Sequence, residues 1–294
     1  MNSKTSHESP LLIDEVISVC SAKDIDVWTV AAPKIIKNIK ASYYTVIVPD
    51  SQVALFSSVT NAPYQVKPES QFIGNAKEKI AYTLTENNQD RVGWYLQQFV
   101  KIAAVLRHRD DDLVLIWDAD TVPVRPLSFV EPDGRLLYYK GSEYRSFYFI
   151  FIEKALGLKR TQDFSFIAQS LMVRASWAHS LFQSLENKTQ LPWIDAILSQ
   201  LDPSEPSGFA EFETLGSWIW HHHRNEILVS DRPWYRYGFS LVGNPLNLSV
   251  LVWRGLAKYY DFVSFEAWDQ RYGIRQWLKT EFRKIKLSIA GLGR

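Results

Sequence analysis

Short hydrophobic runs alternate with amphipathic stretches along much of the chain. Apolar runs bounded by turn signals are typical of strands, and apolar positions with a 3.6-residue spacing are typical of helices. The runs predict strands at residues 25–33, 43–50, 64–68, 113–117, 136–140, 164–173, 227–229 and 248–253. Amphipathic stretches between the first of them predict helices at residues 34–40, 53–59, 76–85 and 93–107. This alternation predicts an α/β fold with a mostly parallel sheet flanked by helices.

The same pattern divides the chain into three parts. Residues 1–24 are polar apart from an apolar patch at 11–19, and we expect a loose N-terminal segment with at most a short helix. Residues 25–262 carry the predicted strands and helices and form one domain. Residues 263–294 form a C-terminal helical extension.

Two carboxylates follow the most hydrophobic of these strands. Leu113–Trp117 is an unbroken apolar run, and Asp118 and Asp120 come directly after it. Ligands of open α/β sheets bind at the carboxyl ends of the strands, and residues two apart in an extended chain share a face. Carboxylate oxygens suit Mg²⁺ or Mn²⁺. The pair therefore predicts a metal site, with the capping of a turn or helix as the alternative.

The helix predicted at residues 93–107 has a polar face. Trp94, Gln97, Gln98 and Lys101 share this face at i, i+3, i+4 and i+7 spacing. Since tryptophan is unusual on a solvated face, we expect this side to line a pocket. In that pocket Lys101 would pair with a phosphate or an aspartate. For Gln98 we expect exposure to solvent.

Two other strand ends suggest contacts with a ligand. Ala31 and Ala32 end the strand predicted at residues 25–33, and their small side chains would let a ligand approach the backbone. Asp50 ends the strand predicted at residues 43–50. It either binds a base or ribose hydroxyl or caps the helix that follows, by accepting backbone N–H bonds.

A second acidic pair, Glu211 and Glu213, follows a loop rich in Pro and Ser at residues 202–208, which we expect to be mobile. The two carboxylates share a face in an extended segment and diverge in a helix. One of them is a candidate catalytic base, and the alternative is favourable charge at a helix N-terminus. His221–His223 follow at the end of a predicted helix. Adjacent histidines point in different directions there, so at most two of them share a metal.

The C-terminal segment at residues 271–294 is basic and amphipathic. Its apolar residues, Ile274, Trp277, Leu278, Phe282, Ile285 and Ile289, fall on one helical face. Its charged residues are seven basic, Arg271, Arg275, Lys279, Arg283, Lys284, Lys286 and Arg294, and one acidic, Glu281. Such a helix either lies on an anionic membrane surface or docks on the core with its lysines in solvent.

Composition narrows the class of protein. The net charge of +1, from 33 basic and 32 acidic residues, does not favour nucleic acid as a partner. Cys20 is the single cysteine, so an internal disulfide is excluded, as expected in a reducing compartment. No segment has the pattern of a signal peptide or a membrane span. We therefore expect a cytoplasmic protein, with peripheral contact to the inner face of the membrane if the C-terminal helix binds lipid.

Three sequence blocks carry a resemblance to a known family. They are Gly93–Lys101, Leu115–Pro123 and Glu211–Gly216, the second of which contains Trp-Asp-Ala-Asp. Together they resemble GT-A glycosyltransferases with an Asp-x-Asp motif. More narrowly, they resemble a poorly characterised bacterial family of glycosyltransferase-like proteins. The resemblance covers roughly residues 25–240.

This resemblance implies a metal-dependent glycosyltransferase of GT-A-like fold, which acts in bacterial surface polysaccharide synthesis. The donor would be a nucleotide sugar, a UDP-sugar first and a GDP-sugar second, and the acceptor a glycan or glycolipid. Mn²⁺ or Mg²⁺ would bind Asp120 directly, with Asp118 at the ribose, the donor sugar or the metal. Glu211 or Glu213 would be the base. The expected donor-binding residues are Ala31, Ala32, Asp50, Gln97, Lys101 and Asp118.

Three alternatives stay open at this point. The stretch 118–122 also fits the first motif of haloacid-dehalogenase-type phosphatases, but that family begins its fold with this strand and carries a later Gly-Asp signature that the chain lacks. A nucleotidyltransferase on a similar fold would have a glycine-rich loop where residues 31–34 stand. A non-catalytic carbohydrate-binding protein would share the abundance of aromatic residues, including 11 Trp.

Overall fold

The computed structural model describes residues 12–270 and 274–292, with side chains from 12 to 270 and from 279 to 292. The strands are β1 (Ile13–Val19), β2 (Ala41–Val48), β3 (Tyr64–Pro68), β4 (Leu113–Trp117), β5 (Thr121–Pro123), β6 (Leu136–Tyr139), β7 (Ser170–Arg174), β8 (Ile227–Ser230) and β9 (Phe262–Ser264). The helices are α1 (Ile25–Asn38), α2 (Val53–Val59), α3 (Ser70–Ile73), α4 (Ala76–Thr83), α5 (Val92–Val105), α6 (Ser146–Leu156), α7 (Ala175–Thr189), α8 (Trp193–Gln200), α9 (Glu211–His222), α10 (Gly238–Val242), α11 (Val250–Tyr259) and α12 (Ile274–Leu292).

The main sheet has five strands in the order β3-β2-β1-β4-β7. The first four of these run parallel, and β7 is antiparallel to β4. Two small sheets stand beside it, an antiparallel pair of β5 and β9 and a parallel pair of β6 and β8. The predicted α/β architecture, a mostly parallel sheet flanked by helices, is confirmed.

The described part of the N-terminal segment contributes the central strand of this sheet, so the prediction of a loose segment was wrong there, and residues 1–11 lie outside the described residues. In β1, Val16 and Ile17 are buried between β2 and β4. The acidic residues that suggested exposure have partners: Asp14 accepts a bond of 2.7 Å from the backbone N–H of Leu113, and His108 lies 2.7 Å from Glu15. The strand is therefore buried on both faces in its middle, and its acidic residues are hydrogen-bonded.

The strand predicted at residues 25–33 was also wrong, because this stretch is the first half of α1. The buried residues of α1 include Val27, Trp28, Ala31, Ala32 and Ile35. Their spacing of i, i+1, i+4, i+5 and i+8 is that of one face of a helix. The prediction weighed the apolar content of the run and missed its period.

Two further predictions in the second half need correction. The strand predicted at 248–253 was wrong: Ser249 caps the N-terminus of α11, its hydroxyl accepting from the backbone N–H of Val252 at 3.4 Å. The strand predicted at 164–173 begins only at residue 170. Residues 262–264 form β9 and pair with β5, so contacts with the predicted domain continue beyond its expected end at residue 262.

The C-terminal helix α12 packs on α11 through two glycines. A Cβ at Gly255 would lie 2.1 Å from the carbonyl oxygen of Leu287, and one at Gly291 would lie 2.2 Å from that of Leu251. The backbones approach closely because neither residue has a side chain. A row of large apolar side chains on α12 stays exposed: Phe282, Ile285, Ile289 and Leu292. Within the described ranges, no helix has the length and apolar character needed to cross a bilayer.

Candidate functional site

A cavity of about 1610 Å³ opens at the carboxyl ends of β1 and β4. This is the edge of a parallel sheet where ligands bind. Acidic, basic and amide side chains line it together with rings of Trp94, Tyr144, Phe147, Tyr148, Trp234, Tyr235, Tyr237 and Trp268. A cavity of this size and mixed lining suits a large polar ligand with ring systems.

Lys101 joins two acidic residues at the floor of this cavity. Its ammonium lies 2.5 Å from Oδ1 of Asp118 and 2.7 Å from Oε1 of Glu211. Burial works to lower the pKa of Lys101, but Asp118 and Glu211 outweigh it and raise that pKa above its ordinary value. The expected pairing of Lys101 with an aspartate is therefore confirmed, and the lysine stays charged.

Side chains from α5 and from Arg91 just before it hold the start of α9 and the loop that precedes it. Gln98 is buried, and its Oε1 accepts a bond of 2.9 Å from the backbone N–H of Glu211, the first residue of α9. The hydroxyl of Tyr95 accepts from the N–H of Gly208 at 2.8 Å, and Arg91 donates to the carbonyl of Pro206 at 2.9 Å. The expected exposure of Gln98 was wrong, because its amide satisfies a helix-terminal N–H that would otherwise lack a partner.

Asp118 and Asp120 lie in a turn and not in an extended chain. The backbone N–H of Thr121 donates to the carbonyl of Asp118 at 3.0 Å, so the alternation of a strand does not apply here. Both aspartates nevertheless line the cavity. The backbone of Asp120 accepts from the N–H of Phe265 at 2.8 Å, which brings the next residue, Glu266, beside the turn.

Asp120 sits among other carboxylates. Burial, followed by Asp118, Glu266 and Asp24, raises the pKa of Asp120 well above its usual range. Asp118 has Lys101 as its counter-ion, whereas Asp120 accepts, within the described chain, hydroxyl bonds of 3.3 and 3.4 Å from Thr121 and Ser264. Burial and the neighbouring carboxylates therefore favour the neutral form of Asp120 unless a cation binds beside it.

A second cation, Arg236, lies across the cavity. It forms an ion pair with Glu143 and another of 2.5 Å with Glu266. Glu266 also accepts from the side-chain amide of Gln169 at 3.1 Å and from the indole N–H of Trp268. Burial opposes the charge of Arg236, but Glu266 and Glu143 raise its pKa above its ordinary value. Asp24, Lys101 and Glu266, from three separate segments, thus lie close enough to Asp120 to act on its pKa, and Arg236 pairs with the last of them.

The carboxylates of the Asp118–Asp120 turn provide part of the coordination shell that a divalent cation needs. No three acidic, histidine or cysteine side chains among the described residues are arranged around one metal position. Mg²⁺, however, usually takes one or two carboxylates and completes its shell with water and substrate phosphates. Asp118 and Asp120 provide two such carboxylates, and the neighbouring carboxylates that raise the pKa of Asp120 would also favour a bound cation there.

The two glutamates of α9 have different positions. Both are buried, but Glu211 lines the cavity, whereas Oε2 of Glu213 accepts from Ser165 at 2.6 Å and from the N–H of Phe166 at 3.2 Å. Burial raises the pKa of Glu213, and these two bonds act against it. Because the segment is a helix, the carboxylates diverge, and Glu213 holds the chain before β7 in place.

Of the other predicted site residues, one lines the cavity and three do not. Gln97 lines the cavity, as expected of its helix face. Ala31 and Ala32 lie on the buried face of α1 and do not line the cavity, so the expected approach of a ligand to them was wrong. Asp50 is exposed and accepts from Ser70 at the start of α3. Its carboxylate holds a helix start, although not that of the helix directly after it.

The three histidines do not converge. The ring of His222 lies 4.0 Å from that of Trp218, and the ring of His223 stacks on Trp177 at 4.5 Å. Nδ1 of His221 lies 2.8 Å from the carbonyl oxygen of Ser217. Their side chains therefore face separate parts of the surface of α9.

Sequence reasoning missed Gln169, Arg236 and Glu266. Gln169 lay in the polar middle of an over-long predicted strand, and Arg236 in an aromatic loop, so each had a weak local signal. Glu266 has no local sequence signal, because it reaches Asp120 only through the pairing of β9 with β5.

Comparisons with known proteins bear on fold and family. The apo structure of mouse xyloside xylosyltransferase 1 resembles this one with a TM-score of 0.46 and 10% identity, covering 89% of this chain and 100% of that one. The structure of the galactosyltransferase LgtC with donor and acceptor sugar analogs gives a TM-score of 0.48 and 9% identity, covering 94% of this chain and 95% of that one. An active-site mutant of LgtC gives 0.48 at 11% identity, covering 91% of this chain and 95% of that one. At these scores the likenesses carry no functional inference.

No curated protein matches the chain. A family model, described as a family of unknown function (DUF6492), matches residues 29–229. This range covers more than half of the 294 residues and includes the Asp118–Asp120 turn, Lys101 and Glu211. The protein therefore belongs to the DUF6492 family.

Proposed function

We propose that this protein is a glycosyltransferase that moves a sugar from a nucleotide-sugar donor to a glycan or glycolipid acceptor. The observation that carries the proposal is the convergence of Lys101, Asp118 and Glu211 beside Asp120, in a large cavity at the carboxyl ends of parallel strands. The three sequence blocks that resemble GT-A glycosyltransferases meet there, with Lys101 from the first, the aspartates from the second and Glu211 from the third.

Charge at the turn suits the leaving group of this reaction. Glycosyl transfer from a nucleotide sugar needs its diphosphate neutralised. A bound Mn²⁺ or Mg²⁺ would supply that neutralisation as a Lewis acid. Asp118 and Asp120 would hold it, and Lys101 would fix the position of Asp118 while adding a positive charge near the phosphates.

The acceptor hydroxyl needs a group that receives its proton. Glu211 lines the cavity and is our candidate, whereas Glu213 is committed to Ser165 and Phe166 and serves the shape of the site. The aromatic side chains around the opening suit stacking against sugar rings.

Synthesis of a bacterial surface glycan at the cytoplasmic side is the biological role we propose. It rests on the resemblance of the three blocks and on Cys20, a buried free thiol that suits a reducing compartment. A UDP-sugar is the first candidate for the donor and a GDP-sugar the second.

An anionic lipid surface is the partner we propose for α12. Phe282, Ile285, Ile289 and Leu292 are each more than half exposed, and the helix carries Lys279, Arg283, Lys284 and Lys286 beside them. Exposed apolar side chains flanked by cations match the interface of an anionic bilayer. Such contact would bring the enzyme to a lipid-linked acceptor.

Hydrolysis of donors tests the proposal. The purified protein is offered UDP-, GDP-, dTDP- and CMP-sugars with Mn²⁺ or Mg²⁺, alongside Asp120→Asn. We expect slow release of nucleotide from one donor, lost in the variant. Release of phosphate from p-nitrophenyl phosphate would instead favour a phosphatase. Binding of glycans without nucleotide binding would favour a carbohydrate-binding protein.

A further inference from the structure

Gln169 has a backbone conformation that its surroundings must stabilise. In the described chain, two residues other than glycine have positive φ, Gln169 at 62° and Gln190 at 58°. Gln190 ends α7, where a left-handed residue is the ordinary helix terminator. Gln169 is buried just before β7 and ends no helix. A Cβ makes this left-handed conformation sterically unfavourable. Residues other than glycine that adopt it often lie at functional sites.

The left-handed backbone lets Gln169 contact the acidic turn from two directions. Its carbonyl oxygen accepts a bond of 3.0 Å from the backbone N–H of Asp118. Its side chain lines the cavity, and Nε2 donates to Oε1 of Glu266 at 3.1 Å. The residue therefore spans the gap between the start of the Asp118–Asp120 turn and Glu266.

The orientation of the carboxamide follows from its partner. The carboxylate of Glu266 accepts hydrogen bonds, so the NH₂ group of Gln169 faces it. Oε1 of Gln169 is then the remaining polar atom, and it has no donor partner among the described residues. A carbonyl acceptor is thus left beside the carboxylates at the cavity wall.

We infer that Gln169 is a donor-positioning residue whose Oε1 accepts a hydrogen bond from a hydroxyl of the transferred sugar. The inference rests on the proposed function and deepens it, since it names the part of the donor that this residue contacts. A sugar held beside the diphosphate presents hydroxyl donors, and a site built to bond a hydroxyl discriminates strongly against ligands that lack it.

A purely structural role is the competing explanation, and glycine separates the two. Gln169→Gly keeps the carbonyl that holds Asp118 and adopts positive φ at no steric cost. It removes only the carboxamide. A role confined to the backbone turn therefore predicts an unimpaired enzyme. A role through the Nε2 bond to Glu266 predicts an equal loss of UDP and UDP-sugar binding, and the sugar-binding role predicts impairment with UDP affinity retained. Gln190→Gly is the matched control, because it makes the same change at the other left-handed glutamine, outside the cavity lining.

The test compares nucleotide with nucleotide sugar. Binding of UDP, UDP-glucose and UDP-galactose in Mn²⁺ is measured by calorimetry, with GDP and GDP-mannose instead if the wild type prefers GDP, together with kcat/KM for the donor used. For Gln169→Gly we expect UDP affinity within about twofold of wild type and a loss of about tenfold or more in kcat/KM, as for one lost hydrogen bond. Gln190→Gly should change neither.

Three outcomes would overturn the inference. Wild-type kcat/KM in Gln169→Gly would overturn it and leave the proposed function intact. An equal loss of UDP and UDP-sugar binding would assign Gln169 a general role in shaping the turn. If Gln169→Gly does not fold, Gln169→Asn, which tolerates this backbone and shortens the amide, takes its place with the same expectations. Absence of any nucleotide binding by the wild type would overturn the proposed function and the inference together.

Discussion

Lys101 and Glu211 lie 110 residues apart in the chain, yet their charged groups approach to 2.7 Å inside the cavity. Gln98, on the same face of α5, caps the N-terminus of α9. Ion pair and cap together fix the start of α9 against α5. The position of Glu211 at the site is therefore set by a helix face that the sequence already marked as unusual.

Removing the cation of this network should destabilise the fold. In Lys101→Ala, Asp118 and Glu211 become unpaired in a buried setting, and we expect the free energy of unfolding to fall by about 3–5 kcal/mol. Lys79→Ala is the control, since its 2.6 Å pair with Asp195 is about one-third exposed, and should cost about 1 kcal/mol or less. Urea denaturation measures both; equal costs would mean that the buried network contributes nothing special.

Two glycines in the blocks that resemble glycosyltransferases should respond oppositely to alanine. A Cβ at Gly216 would lie 2.1 Å from Cγ of Phe166, so Gly216→Ala should lower the free energy of unfolding by about 1–3 kcal/mol. No heavy atom lies within 4 Å of a Cβ at Gly93, so Gly93→Ala should raise it by about 0.4–1 kcal/mol. Thermal unfolding compares the two. A stabilised Gly216→Ala would refute the close packing of α9 on Phe166.

Glu213 should give the protein a measurable pH dependence. Burial raises its folded-state pKa above the ordinary 4.5, so between these two values the folded state binds more protons than the unfolded state. Stability contributed by this group is complete below pH 4.5 and is lost as pH rises through the folded pKa. Glu213→Gln cannot titrate.

We therefore expect the wild type to lose stability relative to Glu213→Gln as pH rises across this window. Urea denaturation of both proteins at a series of pH values gives the difference, from which the contributions of other titrating groups cancel. A difference that stays constant, or that moves in favour of the wild type, would contradict the assignment of Glu213 as a carboxyl with a raised pKa.

The exposed row on α12 should govern lipid binding. We expect the protein to bind vesicles containing phosphatidylglycerol more tightly than vesicles of phosphatidylcholine, and less tightly as salt increases. Changing Phe282 and Ile285 together to Ser should weaken binding at least about tenfold. Tyr82→Ser, at another exposed ring distant in the chain, serves as the control. Sedimentation with vesicles measures all three proteins, and wild-type protein that stays in solution would refute the proposed membrane contact.

The sequence predicted those parts of the fold and site whose signal lies within a single strand or helix. The apolar run of β4, the carboxylates after it and the lysine on the polar face of α5 each have a signal within one element, and their meeting follows from the rule that parallel strands end at one edge. By contrast, β1 was not predicted, because the hydrogen-bond partners that allow Asp14 and Glu15 to lie within a strand are about 90 to 100 residues away in the chain. Glu266 and the caps on α9 likewise depend on tertiary pairing.

Metal-dependent nucleotide binding tests the central claim most directly. UDP and GDP are titrated by calorimetry into the wild type and into Asp120→Asn, each with Mn²⁺ and with EDTA. The account predicts that Mn²⁺ strengthens nucleotide binding to the wild type and that Asp120→Asn loses this enhancement while it stays folded. Binding that is the same with Mn²⁺ and with EDTA, or no binding of either nucleotide, would contradict the assignment of the Asp118–Asp120 turn as the metal and diphosphate site.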